Sequence, residues 1–253
     1  MQPDVANSAD AGFPRPTLTL LFDDYARAHL EQRGHFAPGT LSVTGSPRLD
    51  ALVRTAAELT DEDVARAREA AGADGSRLLV LFVAKYRQGR HVLGALVEAA
   101  GEMPDMQLAI KTHPAETPDA YDAVASRANV RVLPAGAPLA PLLRASRAIV
   151  TVNSTVALDA AVLGIPALVI GLPNNLSPFV DAGIMAGAAT PSEIAPSLRR
   201  ILYDEQFRLQ IERERSVYLR RFGITASGEA AARSADAVMQ FMTRAPVANH
   251  GGL

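Results

Sequence analysis

The sequence predicts an α/β protein built on a doubly wound, Rossmann-like parallel sheet, and three observations carry that expectation. From Arg77 onward, short apolar runs alternate with amphipathic stretches at the spacing of strand-helix units. The runs place Val, Leu and Ile on consecutive positions, as strands covered on both faces do. Polar and cationic residues gather where the runs end, at the edge where open α/β sheets bind ligands.

Taken in order, residues 1–16 are rich in Pro, Ala, Asp and Ser and read as disordered. "TLTLLF" and "TLSVTG" then read as two short strands flanking a helix over 24–33. A second helix starts at Thr60, whose hydroxyl and the Asp63 carboxylate form a capping pair, and stops near Gly72. Residues 17–75 are too few for a full second domain and read as a linker with the end of one.

Residues 76–244 form the main domain. Strands are expected at 78–84, 107–111, 130–133, 148–152 and 167–170, with helices at 91–102, 118–126, 138–145 and 155–163, giving five strand-helix units. Thr190-Pro191 opens a further helix to about Tyr203, and another covers 205–221. Thr225 or Ser227 caps a last helix ending near Phe241, and 245–253 read as a disordered tail.

Composition narrows the chemistry. With 253 residues, 48% of them hydrophobic, and a formal charge of -2, the chain has the balance of a soluble globular protein and no basic excess for nucleic acid. No apolar run approaches the ~20 residues of a membrane span, and the first residues lack a signal-peptide pattern. A cytoplasmic location is expected, compatible with peripheral membrane association. The absence of cysteine removes disulfides, thiolate nucleophiles and zinc-thiolate sites, so neither a metal nor a cofactor is expected. Glycine-rich GxGxxG and GxxxxGK[ST] fingerprints and the GxSxG elbow are also absent.

The strand ends supply the candidate site. Lys85 follows the first strand, Lys111-Thr112-His113-Pro114 the second, Pro134-Ala135-Gly136 the third and Asn153-Ser154-Thr155 the fourth. In a chain with 25 basic residues these are the sole lysines, and both end apolar runs. A helix opening at Ser154 or Thr155 offers backbone N–H groups and its positive dipole end to a phosphate; alternatively Asn153 or Ser154 is simply an N-cap. Asp159 lies a turn into that helix, to meet a ribose hydroxyl or to stand as a solvated acid. His113 is held on a turn by Pro114, either to donate to a leaving phosphate or to cap a carbonyl. Arg87 to Arg90, "RQGR", read as an exposed loop or as an aid to a polyphosphate.

These residues carry a resemblance. "FDDYARAHLEQRGHFAPGTLSVTGSPRLDAL" resembles the linker of GT-B-fold transferases of bacterial surface and capsular polysaccharide synthesis, "KTHP" their His-Pro motif, and "NSTVALDAAVLGIPALVI" their Ser/Thr motif and following helix. Related patterns occur in CDP-glycerol glycerophosphotransferases and UDP-GlcNAc 2-epimerases. The resemblance covers about Thr17 to Thr243 and implies a metal-independent transfer from a CMP-, CDP- or UDP-linked sugar to a glycan or lipid-linked acceptor. It implies that His113, Ser154 and Thr155 contact the donor phosphate and that the Pro134 loop offers backbone groups to the base. Asp159 stands where many relatives carry a ribose-binding Glu. It assigns no catalytic base, because Asp23-Asp24-Tyr25 lacks the glycine of the relatives' acidic motif.

Overall fold

The computed structural model describes residues 14–84, 90–116, 118–152, 154–171 and 178–244. The expected disorder of 245–253 and of most of 1–16 lies outside these residues, as do Lys85 and Asn153. The described residues divide into two compact units, 52–218 and a smaller one formed by 14–51 with 219–244. The division falls near residues 51 and 218, and the last helix lies in the smaller unit with the N-terminal segment.

In the smaller unit, β1 (Thr19–Leu21) and β2 (Leu41–Val43) pair in parallel around α1 (Asp24–Gln32). Asp23 caps α1, its Oδ1 accepting the Ala26 N–H at 2.7 Å. Burial pushes that carboxyl above the usual carboxylate range despite this bond. The segment "TGSPRLD" opens α2 (Pro47–Glu58), a helix that the reading of this stretch as a linker did not anticipate.

The larger unit contains the remainder of α2, then α3 (Asp61–Ala70), β3 (Leu78–Val83), α4 (Arg90–Gly101) and β4 (Met106–Lys111). The capping box of Thr60 with Asp63 is formed as expected. There follow α5 (Asp122–Ala125), entered through a 3-10 turn, β5 (Val130–Leu133), α6 (Leu139–Ala145), β6 (Ala148–Thr151), α7 (Val156–Leu163) and β7 (Ala167–Ile170). The remaining elements are α8 (Pro178–Asp181), β8 (Ala186–Ala188), α9 (Ile194–Tyr203) and α10 (Glu205–Arg221). The last helix of the chain, α11 (Ala230–Arg244), lies in the smaller unit.

The sheet is wholly parallel in the order β5-β4-β3-β6-β7-β8, so the strand order reverses between β3 and β6. Among the described residues it has six strands rather than the five expected. The sixth, Ala-Gly-Ala, carries no apolar run to reveal it, and its glycine is required because a Cβ on Gly187 would come within 2.6 Å of Val180 Cγ1.

Alternate residues of each strand face opposite sides. Val80, Phe82, Leu108, Ile110, Val150 and Leu168 enter the principal core with the buried faces of α4 and α9. The other face bears Leu79, Leu81 and Ile149 and meets α6 and α7. Five consecutive residues of α7, Ala157 to Ala161, are buried, which explains a helix that is apolar nearly all round.

Candidate functional site

The last complete row of the sheet reads Leu133, Lys111, Val83, Thr151, Val169 and Gly187 across the six strands. Register partners in a parallel sheet project to the same face, so Lys111 and Thr151 stand on the α6/α7 side, two strand spacings or ~10 Å apart. Beyond this row the chain turns into the two segments that carry His113 and Ser154-Thr155. β3 lies between them, at the switch point. The topology therefore places both segments at one sheet edge.

His113 is half-buried. Its Nδ1 accepts the Ala115 backbone N–H at 3.1 Å, and its carbonyl accepts the Glu116 N–H at 2.9 Å. With Nδ1 engaged as an acceptor, Nε2 is the ring nitrogen left to act as a donor. The ring therefore does not cap a carbonyl through Nδ1. Glu116 is itself buried, and its Oε2 accepts the hydroxyl of the buried Tyr121 at 2.5 Å, pinning the end of the loop.

The other segment begins α7 with a tight turn. Ser154 Oγ accepts the Val156 N–H at 3.4 Å and Ser154 O accepts the Ala157 N–H at 3.1 Å. The N-cap reading of Ser154 is thus half met: Oγ serves the helix as an acceptor, and its own proton remains a donor. Thr155 is exposed, in helical conformation, and makes no capping bond. Asp159 is completely buried, which excludes the solvated-acid alternative.

Two residues of "KTHP" have other commitments. The Thr112 backbone N–H and hydroxyl both donate to Leu133 O, at 3.4 and 3.2 Å, tying β4 to β5. Lys111 Nζ donates to Ala135 O at 2.5 Å, in the loop that starts with Pro134. Burial holds that ammonium below the usual lysine range.

Sequence reasoning missed Thr151. Its Oγ1 is fully buried with no hydrogen-bond partner, directly under the turn into α7. The signal was a lone hydroxyl closing the apolar run Ala148–Thr151.

Residues 84–175 match the family described as capsule polysaccharide biosynthesis protein, a segment that contains every candidate position above. The fold matches solved GT-B structures over most of the chain. The wall teichoic acid polymerase TagF superposes with a TM-score of 0.59 at 14% identity, over 90% of this chain and 58% of TagF. The fold is GT-B-like.

The same GT-B-like arrangement is found in UDP-GlcNAc 2-epimerase from Neisseria meningitidis bound to UDP-GlcNAc, with a TM-score of 0.59 at 18% identity, over 81% of this chain and 60% of that one. A TagF variant with CDPG gives 0.64 at 14% identity, over 90% and 56%. The chain thus spans less than two thirds of the length of these structures. Comparison with curated protein sequences gave no significant match. Among the described residues no helix is long and apolar enough to cross a membrane.

Proposed function

We propose that this chain is the donor-binding half of a metal-independent GT-B-type glycosyltransferase of surface polysaccharide synthesis. One observation carries the reading: the His113 turn, with Nδ1 accepting the Ala115 N–H, and the hydroxyl-bearing start of α7 flank β3 at the sheet's switch point. A nucleotide-linked sugar bound there has its phosphates between the two segments. Ser154, Thr155 and the positive end of the α7 dipole meet the ground-state charge.

As the sugar leaves, negative charge grows on the departing phosphate. A His113 Nε2–H held in place by the Ala115 N–H stabilises that charge without reorganising, which lowers the barrier more than it tightens binding. The charge is met by protein donors in this reading, with no cofactor. Asp159 is assigned to the ribose side, and the glycan or lipid-linked acceptor to a second lobe.

Calorimetric titration of CMP, CDP, UDP and UDP-GlcNAc tests the proposal. Wild type should bind at least one nucleotide selectively, and His113→Ala and Ser154→Ala should each weaken it about tenfold or more. Silence of the wild type toward all four ligands sinks the reading.

A nucleotide-binding module without turnover is the second reading. It is favoured by the smaller unit, whose sheet has two strands among the described residues. Nucleotide binding without hydrolysis or transfer of a bound sugar would select it.

A further inference from the structure

A groove of about 330 Å³ lies at the edge of the sheet opposite the candidate site, where strands begin rather than end. One wall is the turn 164–166 that leads into β7, together with Arg147, which precedes β6. The other wall is α10, which presents Leu209, 49% exposed, and four charges, Glu205, Arg208, Glu212 and Arg215. Their spacings of three and four residues suit ion pairs within a helix. Among the described residues only Glu212 with Arg215 forms one, at a long 3.9 Å. Arg208 donates through Nη1 to the carbonyls of Ile201 and Leu202, at 3.5 and 2.8 Å, and Glu205 and Arg147 have no ion-pair partner among the described residues. The charges of this wall are therefore largely uncommitted within the chain.

The order of the charges selects a partner. When α10 lies antiparallel on a copy of itself with a two-fold axis at Gln210, residues equally far before and after that position face each other. Glu205 then faces Arg215 of the other copy, Arg208 faces Glu212, and Leu209 faces Ile211, which is buried at the floor of the groove. The axis repeats each pair, so the ionic contacts extend over ~15 Å of helix on either side of an apolar centre. A parallel copy in register would instead set each charge against its like. The sequence of this one face thus fixes both the direction and the register of the pairing.

We propose that α10 and the groove beside it form a self-association surface, onto which a second copy of this chain docks antiparallel through its own α10. The surface stands apart from the candidate site and does not rest on the nucleotide reading. It leaves the edge where the strands end open. Arg147, on the opposing wall, adds a cation for the exposed Glu205 or Glu212 of the other copy. A contact of this size, with exposed ion pairs around one leucine, makes a weak, salt-sensitive dimer rather than an obligate one.

Sedimentation velocity over a range of protein concentrations tests the proposal, with circular dichroism to establish that each variant is folded. Wild type should pass from monomer to dimer as concentration rises, with a midpoint about tenfold higher in high salt than in low. Glu205→Arg sets an arginine against Arg215, and Arg215→Glu sets a glutamate against Glu205, so each variant alone should stay monomeric. Mixed in equal amounts, the two should pair with each other, because every ionic contact is then between opposite charges. Leu209→Asp, at an exposed position, should weaken association about tenfold or more. A wild type that remains monomeric throughout overturns the proposal. A dimer that survives either Glu205→Arg or Leu209→Asp also overturns it, since it would use another surface, as does failure of the two folded charge variants to pair. Should Arg215→Glu lose helicity through its place against Gly164, Glu205→Arg and Leu209→Asp decide the matter on their own.

Discussion

The Asp50 carboxylate, in α2, accepts the backbone N–H of Ala230, the first residue of α11, at 2.8 Å across 180 positions of sequence. The cap of the last helix thus comes from a remote residue rather than from Thr225 or Ser227. The rest of "TGSPRLD" serves the same junction. Thr44 O accepts Arg233 Nε at 2.9 Å, Thr44 Oγ1 bonds Ser234 Oγ at 3.0 Å, and a Cβ on Gly45 (φ 87°) would meet Arg233 Nη2 at 2.9 Å. Asp50→Ala should cost about 1–2 kcal/mol, since it orphans a buried N–H and removes a helix cap. Urea unfolding followed by circular dichroism measures it; a cost below the error of the fit would show that the cap contributes nothing.

Gly164 ends α7 with φ 79°, and a Cβ there would lie 2.9 Å from Arg215 Nη1. The guanidinium sits at the negative end of the α7 dipole. Gly164→Ala should therefore destabilise by about 1–2 kcal/mol, through left-handed strain and displacement of Arg215. Nucleotide affinity should not change, because Gly164 lies at the opposite end of the helix from Ser154. Denaturant midpoints and calorimetry separate the two effects.

Thr151→Val is expected to divide stability from binding. The hydroxyl is buried without a partner, so replacing it by a methyl should stabilise the fold by about 1 kcal/mol. If the hydroxyl serves a ligand at the turn into α7, the same variant should bind nucleotide several-fold more weakly. A variant that is both less stable and unchanged in affinity would count against Thr151 as a site residue.

The Tyr203 hydroxyl donates to Asp105 Oδ1 at 2.6 Å, and its pKa is pushed up to about 12 by burial, with the bond to Asp105 and its charge adding to the rise. A folded pKa above the unfolded value of about 10 gives a stabilising contribution that is complete below pH 10 and is lost as pH climbs toward 12. Because the residue is largely exposed, solvent screens the effect and the loss should be small. Ultraviolet titration of wild type against Tyr203→Phe isolates this tyrosine, and a titration near pH 10 would refute the raised value.

Much of the fold was legible because its signals are local. Strands β3, β4, β5, β6 and β7 announce themselves as apolar runs, and their ends fall within a residue of the positions expected from sequence. β8 did not, because three small residues form a strand only where neighbouring backbone and α8 allow it. At the site, residue types were legible and commitments were not. Lys111, Thr112 and His113 stood out as donors, yet two of the three bond to the end of β5 and the loop after it. Asp159 was a carboxylate in a helical pattern, and only its burial separates it from a surface acid.

The sequence by itself determined a parallel α/β sheet and the edge at which polar groups collect, since both follow from hydrophobic periodicity and from where each run stops. Tertiary structure alone decided which strand neighbours which, where the chain divides, and what each donor holds. Those outcomes depend on contacts between residues from about 20 to 190 positions apart, as in Lys111 with Ala135 and Arg233 with Thr44, and no local pattern encodes such pairings.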